Sequence, residues 1–388
     1  MNELSNVSKN LTGQPMFEFL SEIKEAERKG RKIIHFEIGD PSFQTDASVI
    51  ESAKQSLDRG ETHYTDSMGL RELREGVAAR IRASLLYEPS VNQILITPAN
   101  SVIDFTIRCV ADPGYEIIYP DPGFSTYESV IKYTGMKGVP IRLKEENGMR
   151  MSPEDVEKSI TEKTRLIIVN SPSNPTGAVM TEEESKEFAR IAKKYEIYLL
   201  SDETYAELIY DKKHYSPSVY DACKEYTILL SSFSKAYDMS GWRVGYAVGP
   251  EILVKKMGLM LQTIISCLPE FTQRGGVAAL RLGKEYFESK MKELHKRRKA
   301  ITEGLRSIPG VRCLEPEGAF YAFPNIEGTG MKSKEFSRRM FEEGGVALLP
   351  GSDFGVAGEG FARLSFGSRT EKEIEEAIQS MKRVLEKP

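Results

Sequence analysis

Between residues 93 and 249, short apolar runs alternate with longer amphipathic stretches. The runs are QILIT, YEIIYP, GVPIRL, TRLIIVN, EIYLLSD, YTILLSS and RVGYAVG. They are strand-sized, and apolar residues recur at helical spacing between several of them. Strand–helix alternation predicts an α/β fold, a mostly parallel sheet with helices on both faces. Helix starts are marked by Ser152-Pro153-Glu154-Asp155, a capping serine with proline at the first position, and by Thr181-Glu182-Glu183-Glu184, a capping box. MFEFLSEIKEAERKG, residues 16–30, reads as a helix that stops on glycine, and the first ten residues read as a loose polar tail. Past about residue 275 comes a long charged helical region, then the shorter strands GAFYAFP, GVALLP and FARLSF, and a last helix with Thr370 and Glu373 as its capping box. This predicts a smaller α+β domain at residues 276–388, completed by an N-terminal arm and helix at 1–45, around a large domain at 46–275.

Composition narrows the class. The chain has 388 residues, enough for a large and a small domain, with 40% apolar and 28% charged residues. A net charge of −4 argues against a nucleic-acid partner. The longest apolar runs, such as LIIV at 166–169, are far too short to cross a membrane. The start, MNELSNVSKN, lacks the pattern of a secretory signal, and four scattered cysteines without a CxxC pair point to reduced thiols in the cytoplasm. The four histidines are scattered too and no HExxH occurs, so no metal is expected.

Chemistry-bearing residues gather at the ends of the predicted strands, where α/β sheets bind ligands. Asn174-Pro175-Thr176-Gly177 follows one strand, Asp202 and Tyr205 the next, and SSFSK, ending in Lys235, a third; Arg243 opens the strand after that. Taken singly, NPTG is a turn, Asp202 a helix cap and Lys235 a solvated charge. Taken together they supply an amine, a carboxylate, a phenol, an amide, two hydroxyls and a guanidinium to one site. That set suits pyridoxal 5'-phosphate: the amine can bond the aldehyde, the carboxylate can keep the pyridine nitrogen protonated, and the guanidinium and hydroxyls can bind the phosphate.

Across roughly residues 14–385 the motifs YTDSMGLRELR, SPSNPTG, SDETYAEL, SSFSKAYDMSGWRVGY, GAFY and ARLSF occur in one order. In this the chain resembles the class I aminotransferases of the fold-type-I pyridoxal-phosphate enzymes. The resemblance implies that Lys235 is the Schiff-base lysine and the acid–base group at the substrate Cα. It implies that Asp202 pairs with the pyridinium nitrogen, and that Asn174 and Tyr205 bond the ring's phenolate oxygen. Ser232, Ser234 and Arg243 would bind the phosphate and Phe124 would stack on the ring. Arg363 would clamp the substrate α-carboxylate, with the backbone of Gly39 alongside. Tyr64 would reach the phosphate of a neighbouring subunit, which implies a homodimer. Trp242 reads as packing.

The chain departs from the family in two places. Pro98-Ala99-Asn100-Ser101 stands where many relatives have a glycine-rich turn, and the N–H groups of Ala99, Asn100 and Ser101 at a helix start could still cradle the phosphate. Ser101 aligns with a lysine that reads the distal carboxylate in one branch of aspartate aminotransferases, leaving Arg274 or a partner-subunit residue to supply that charge, unless Arg274 is simply a surface arginine at a helix start. The tract ISCLPEFTQ replaces a serine/threonine-rich run. The expected activity is ping-pong transamination between amino acids and 2-oxo acids. Its alternatives are β-elimination like that of C–S lyases, an aminocyclopropane-carboxylate-synthase-like reaction, and a non-catalytic cofactor-binding sensor. A dinucleotide-dependent dehydrogenase would need GxGxxG between the first strand and helix, where none occurs.

Overall fold

The computed structural model describes residues 3–11, 13 and 15–386. Among the described residues, twelve strands run in chain order: β1 (Ile34–His35), β2 (Ile94–Thr97), β3 (Glu116–Asp121), β4 (Lys137–Arg142), β5 (Thr164–Asn170), β6 (Tyr198–Asp202), β7 (Thr227–Ser232), β8 (Gly245–Val248), β9 (Tyr321–Ala322), β10 (Val346–Ala347), β11 (Leu349–Pro350) and β12 (Ala362–Ser365). Seven of them form the main sheet in the order β2-β8-β7-β6-β5-β3-β4. Only β8 runs against its neighbours; the pairs β7–β6, β6–β5, β5–β3 and β3–β4 are parallel. The predicted α/β architecture is the one observed.

Side-chain alternation explains why both faces are covered. On β5, Leu166 and Ile168 enter one core with the helices Ala99–Val110 and Glu251–Ile265, while Ile167 and Val169 enter another with the helix Glu182–Tyr195. The expected caps form. Ser152 accepts from the Asp155 N–H with Pro153 at the first position, and Thr181–Glu184 and Thr370–Glu373 close as capping boxes. Residues 15–28 form the expected N-terminal helix.

The carboxyl-terminal part has its own core, in which Leu294, Ile301 and Leu305 of the helix Lys284–Arg306 meet Ile374, Ile378 and Met381 of the helix Glu371–Leu385. β1 pairs in parallel with β10, placing residues 34–35 on this part, and the order β11-β12-β9 makes a second small sheet.

Three local expectations are revised. The run GVALLP is two strands: Val346 and Ala347 pair with β1, and Leu349 and Pro350 pair antiparallel with β12. One apolar run thus serves two sheets, a division that hydrophobicity cannot show. Arg243 does not open a strand. It follows a 3-10 turn at Ser240–Trp242 with φ 58, and the strand begins at Gly245. The N-terminal tail holds one helical turn, Asn6–Lys9, with Ser5 accepting from the Ser8 N–H at 3.2 Å.

Candidate active site

The parallel strands β5, β6 and β7 end side by side, and their carboxyl ends open on a cavity of about 480 Å³. Each strand delivers polar groups to it. β6 ends in Asp202, which is buried. Its Oδ2 accepts from the Tyr127 hydroxyl at 2.6 Å and its Oδ1 from the Thr204 N–H at 3.2 Å. Burial pushes this carboxyl up, against those hydrogen bonds. β5 leads into the NPTG turn, where Asn174 is buried and its N–H donates to Asn170 Oδ1 at 2.8 Å. Gly177 makes that turn possible: its φ is +70, and a Cβ there would lie 2.8 Å from Pro316 and 2.9 Å from the Tyr321 carbonyl oxygen.

β7 runs directly into the short helix Phe233–Ala236, which carries Lys235. The amine donates to the Gly39 carbonyl at 2.5 Å and lies 3.7 Å from Asp40 Oδ1. Burial lowers its pKa; Arg243 and Arg363 lower it further, and Asp40 opposes them. The free-base form is therefore favoured more than in an exposed lysine, as a nucleophilic amine requires. Ser232 caps the same helix, accepting from the Ser234 N–H at 3.1 Å and donating to the Ser234 hydroxyl at 2.9 Å. The left-handed Arg243 is exposed and also lines the cavity, with Nη1 on the Ser240 carbonyl at 2.7 Å.

Arg363 comes from β12 in the small sheet and is only 2% exposed. It donates to the Glu37 carbonyl and, at 3.5 Å, to Asn174 Oδ1, while its Nε is buried without a hydrogen-bond partner. Its guanidinium stacks against Tyr321 and Phe354, 4.9 Å from each ring centre. A buried cation with an unused donor, facing a cavity, is built to receive an anion. Gly39 lies close by for a steric reason: a Cβ on it would sit 2.2 Å from the Tyr321 hydroxyl.

Of the residues expected at the site, Lys235, Asp202, Asn174, Tyr205, Ser232, Ser234, Arg243, Ala99, Asn100, Phe124, Arg363 and Gly39 all line this cavity. Tyr205 is bonded to Tyr321, oxygen to oxygen at 2.7 Å. Ser101 is not brought in. Its N–H donates to the Pro98 carbonyl at 2.9 Å as the helix closes its first turn, so that donor is already used. Tyr64 is 87% exposed and does not line the cavity of its own chain. Arg274 is engaged elsewhere, paired with Glu270 at 2.7 Å, Glu72 at 2.8 Å and Glu61 at 3.4 Å. Trp242 does pack, its ring lying 2.6 Å from where a Cβ of Gly275 would be.

Sequence reasoning missed Tyr127, Tyr321 and Asp40. Tyr127 had a signal, since it stands three residues after Phe124 on a helix and so shares its face; the two rings meet edge to face at 5.7 Å. Tyr321 closes the GAFY motif and Asp40 follows Gly39, but only tertiary contacts give them partners.

The donor set fits pyridoxal 5'-phosphate. It offers an amine shifted toward its free base, a buried carboxylate, a cluster of hydroxyls and a guanidinium beside a helix start, and an aromatic wall. The orphaned Nε of Arg363 leaves a second cationic donor facing the cavity. Among the described residues no cluster of side chains is arranged to hold a metal ion, and no helix is long and apolar enough to cross a membrane.

Known proteins of similar sequence and fold are aminotransferases. The family model for aminotransferase class I and II matches residues 31–381. Aspartate aminotransferase of Pyrococcus horikoshii is 39% identical over 95% of this chain and 94% of its own. Aromatic-amino-acid aminotransferase 2 of Thermococcus litoralis is 37% identical over 91% and 92%. A solved structure of alanine aminotransferase from Pyrococcus furiosus superposes with a TM-score of 0.94, at 31% identity and with 100% of both chains covered. With the motifs, the sheet and the cavity in agreement, the chain belongs to the class I and II aminotransferases and is a pyridoxal 5'-phosphate-dependent enzyme of amino-group transfer.

Proposed function

We propose that the enzyme exchanges the amino group between an amino acid and a 2-oxo acid in two half-reactions at Lys235, as a cytoplasmic homodimer. The observation that carries this reading is the placement of Lys235 and Arg363 on opposite parts of the chain but in one cavity, with the Lys235 amine on the Gly39 carbonyl. When bound, pyridoxal 5'-phosphate supplies an electron sink for charge developing at the substrate α-carbon. Asp202 holds a proton at the pyridine nitrogen, and Tyr127 and Thr204 fix the direction of its carboxylate. Arg243, Ser232, Ser234 and the N–H groups of Ala99 and Asn100 hold the phosphate. Asn174 and Tyr205 would donate to the ring's phenolate oxygen, and Phe124 would cover a ring face. Arg363 would bind the α-carboxylate with a planar fork and so present the Cα–H bond to Lys235, whose amine would hold and move that proton.

The relatives are named for aspartate, aromatic amino acids and alanine. The wall here includes the apolar Ile38, Leu349 and Phe354, and its three cations, Lys235, Arg243 and Arg363, all have roles in this reading. Among the described residues, a second substrate carboxylate therefore finds no spare cation in the wall of a single chain. The main parts of the chain are the arm and helix 1–45 with the small part 276–388, and the cofactor-binding part 46–275.

The homodimer reading draws on Tyr64, which is 87% exposed, and on the helix Glu251–Ile265, where Ile252 is 74% and Ile264 61% exposed. Tyr64→Phe is expected to weaken phosphate retention without changing the fold, and a monomer in sedimentation of the holoenzyme would contradict this part. The cytoplasmic reading rests on four cysteines that are all free.

The reaction is tested by adding an amino acid without an oxo acid. One equivalent of oxo acid per site is expected, after which turnover stops until a 2-oxo acid is supplied. Continuous release of ammonia and pyruvate would replace transamination with elimination.

A further inference from the structure

The turn that carries Lys235 rests on a buried pair of charges that the reaction leaves unused. Lys290, on the helix Lys284–Arg306, places Nζ 2.5 Å from Asp238 Oδ2, and the two side chains are only 3% and 1% exposed. The same ammonium donates to the Ala236 carbonyl at 2.7 Å and to the carbonyl of Lys235 itself at 3.3 Å. Its three donors are thus all engaged. Tyr286, one turn earlier on that helix, donates to the same Asp238 Oδ2 at 2.5 Å, and its ring lies 4.9 Å from the ammonium.

Residues 39–45 reach the same point. Thr45 Oγ1 donates to the Asp238 carbonyl at 2.5 Å and Ser240 Oγ to Asp40 Oδ2 at 3.0 Å. The Phe43 ring lies 5.6 Å from Lys290 Nζ and 5.1 Å from the Arg297 guanidinium. Arg297 in turn donates to Ser42 Oγ at 3.2 Å and to the Gly367 carbonyl at 2.6 Å. The loop bearing Gly39, the turn bearing Lys235 and the long helix therefore share one junction.

Four physical points make this more than packing. The helix bearing Lys235 has four residues, too few to hold its own shape. The last carbonyls of any helix lack partners within it, and Lys290 supplies them here to two, including that of Lys235. Asp238 has φ 54, in the left-handed region that aspartate tolerates but glycine fits better. Glycine there would leave Lys290 unpaired in the interior, so the position uses the carboxylate. A buried ion pair is a poor source of stability compared with apolar packing, which leaves fixing a geometry as its better use.

We propose that Lys290 and Asp238 are positioning residues for transamination: the buried pair fixes the peptide of Lys235 and ties it to the long helix, holding the amine on the Gly39 side of the cavity. This rests on the reading of Lys235 as the cofactor lysine. The group acts only through Lys235, and its loss shows in the rate of proton movement rather than in substrate affinity.

The test is the double variant Asp238→Ala/Lys290→Met, which removes both charges together and leaves neither buried alone. Wild-type and variant holoenzymes are compared in single half-reactions with whichever of L-aspartate, L-alanine and L-phenylalanine the wild type converts fastest. The limiting rate per cofactor-loaded site is expected to fall roughly ten- to a hundredfold, the scale of a small misplacement of a reacting group. The apparent Kd is expected to stay within about threefold and the visible circular dichroism of the bound cofactor to weaken, as its orientation loosens. A rate per loaded site and a dichroic band equal to wild type, with only Tm altered, would reduce the pair to a structural one. Should the double variant not fold, Tyr286→Phe removes one donor from Asp238 and is expected to slow the same step by a few-fold; an unchanged rate there overturns the proposal. Borohydride reduction and peptide mapping of the wild type separates the two levels: a label absent from Lys235 sinks the cofactor reading, whereas a label on Lys235 with unchanged variant rates sinks only the clamp.

Discussion

Lys235→Ala holoenzyme is expected to lose the near-visible band of the lysine-bound cofactor, and its half-reaction to slow by about four orders of magnitude or more. On the proposed role of Lys235, alanine removes both the amine that would bond the aldehyde and the base that would move the α-proton. General acid–base catalysis alone accounts for about 10²- to 10⁴-fold, and loss of the covalent tether adds to it. The groups proposed to hold the phosphate, and Asp202, remain, so the cofactor is expected still to bind. The fold also remains, for a reason visible in the titration of the lysine. Burial, Arg243 and Arg363 hold its pKa below the ordinary 10.5. A group depressed in this way binds protons less well folded than unfolded. The protonated amine therefore opposes folding fully below its depressed pKa, and that opposition fades as pH rises toward 10.5. At neutral pH the alanine variant is relieved of it, losing only the contacts to Gly39 and Asp40. A variant that kept the band and the rate, measured by stopped-flow absorbance, would show that another lysine does the work.

Arg363→Leu separates substrate from cofactor. Truncating one partner of a buried, hydrogen-bonded charge pair costs about 2–5 kcal/mol, roughly thirtyfold to several thousandfold in kcat/KM. That loss is expected for every amino acid, because the α-carboxylate is common to all, and the cofactor band is expected to persist. The variant removes a cation that depresses Lys235, so the free amine of the apoenzyme should emerge at higher pH than in wild type. The two lost hydrogen bonds, to Glu37 and Asn174, are balanced in part by removing a buried charge whose Nε has no partner. A variant that lost cofactor and amino acid alike would place Arg363 in the cofactor grip instead.

The sheet was legible because its inner strands are buried on both faces and separated by amphipathic helices, two of them with ordinary caps at Ser152 and Thr181. Asp202, Asn174 and Lys235 could be gathered into one cavity from sequence because each stands at or just after the end of a strand. What escaped depends on contacts between distant segments. Leu348 lies between two sheets, and no local pattern divides GVALLP there. Arg243 is left-handed after a 3-10 turn, although the apolar run beyond it suggested strand. Ser101 was counted as a phosphate donor by its place at a helix start, but closing the first turn consumes its N–H. The helical spacing of Tyr286 and Lys290 was open to reading; their shared partner Asp238, some fifty residues earlier, was not.

The central claim is that Lys235 alone carries the cofactor. Reducing the holoenzyme with borohydride, digesting it and sequencing the labelled peptide tests this directly. The account predicts a single pyridoxyl group on Lys235, in the peptide that also contains Ser232 and Ser234. A label on Lys290, the buried lysine next to this turn, or on any other lysine would contradict it.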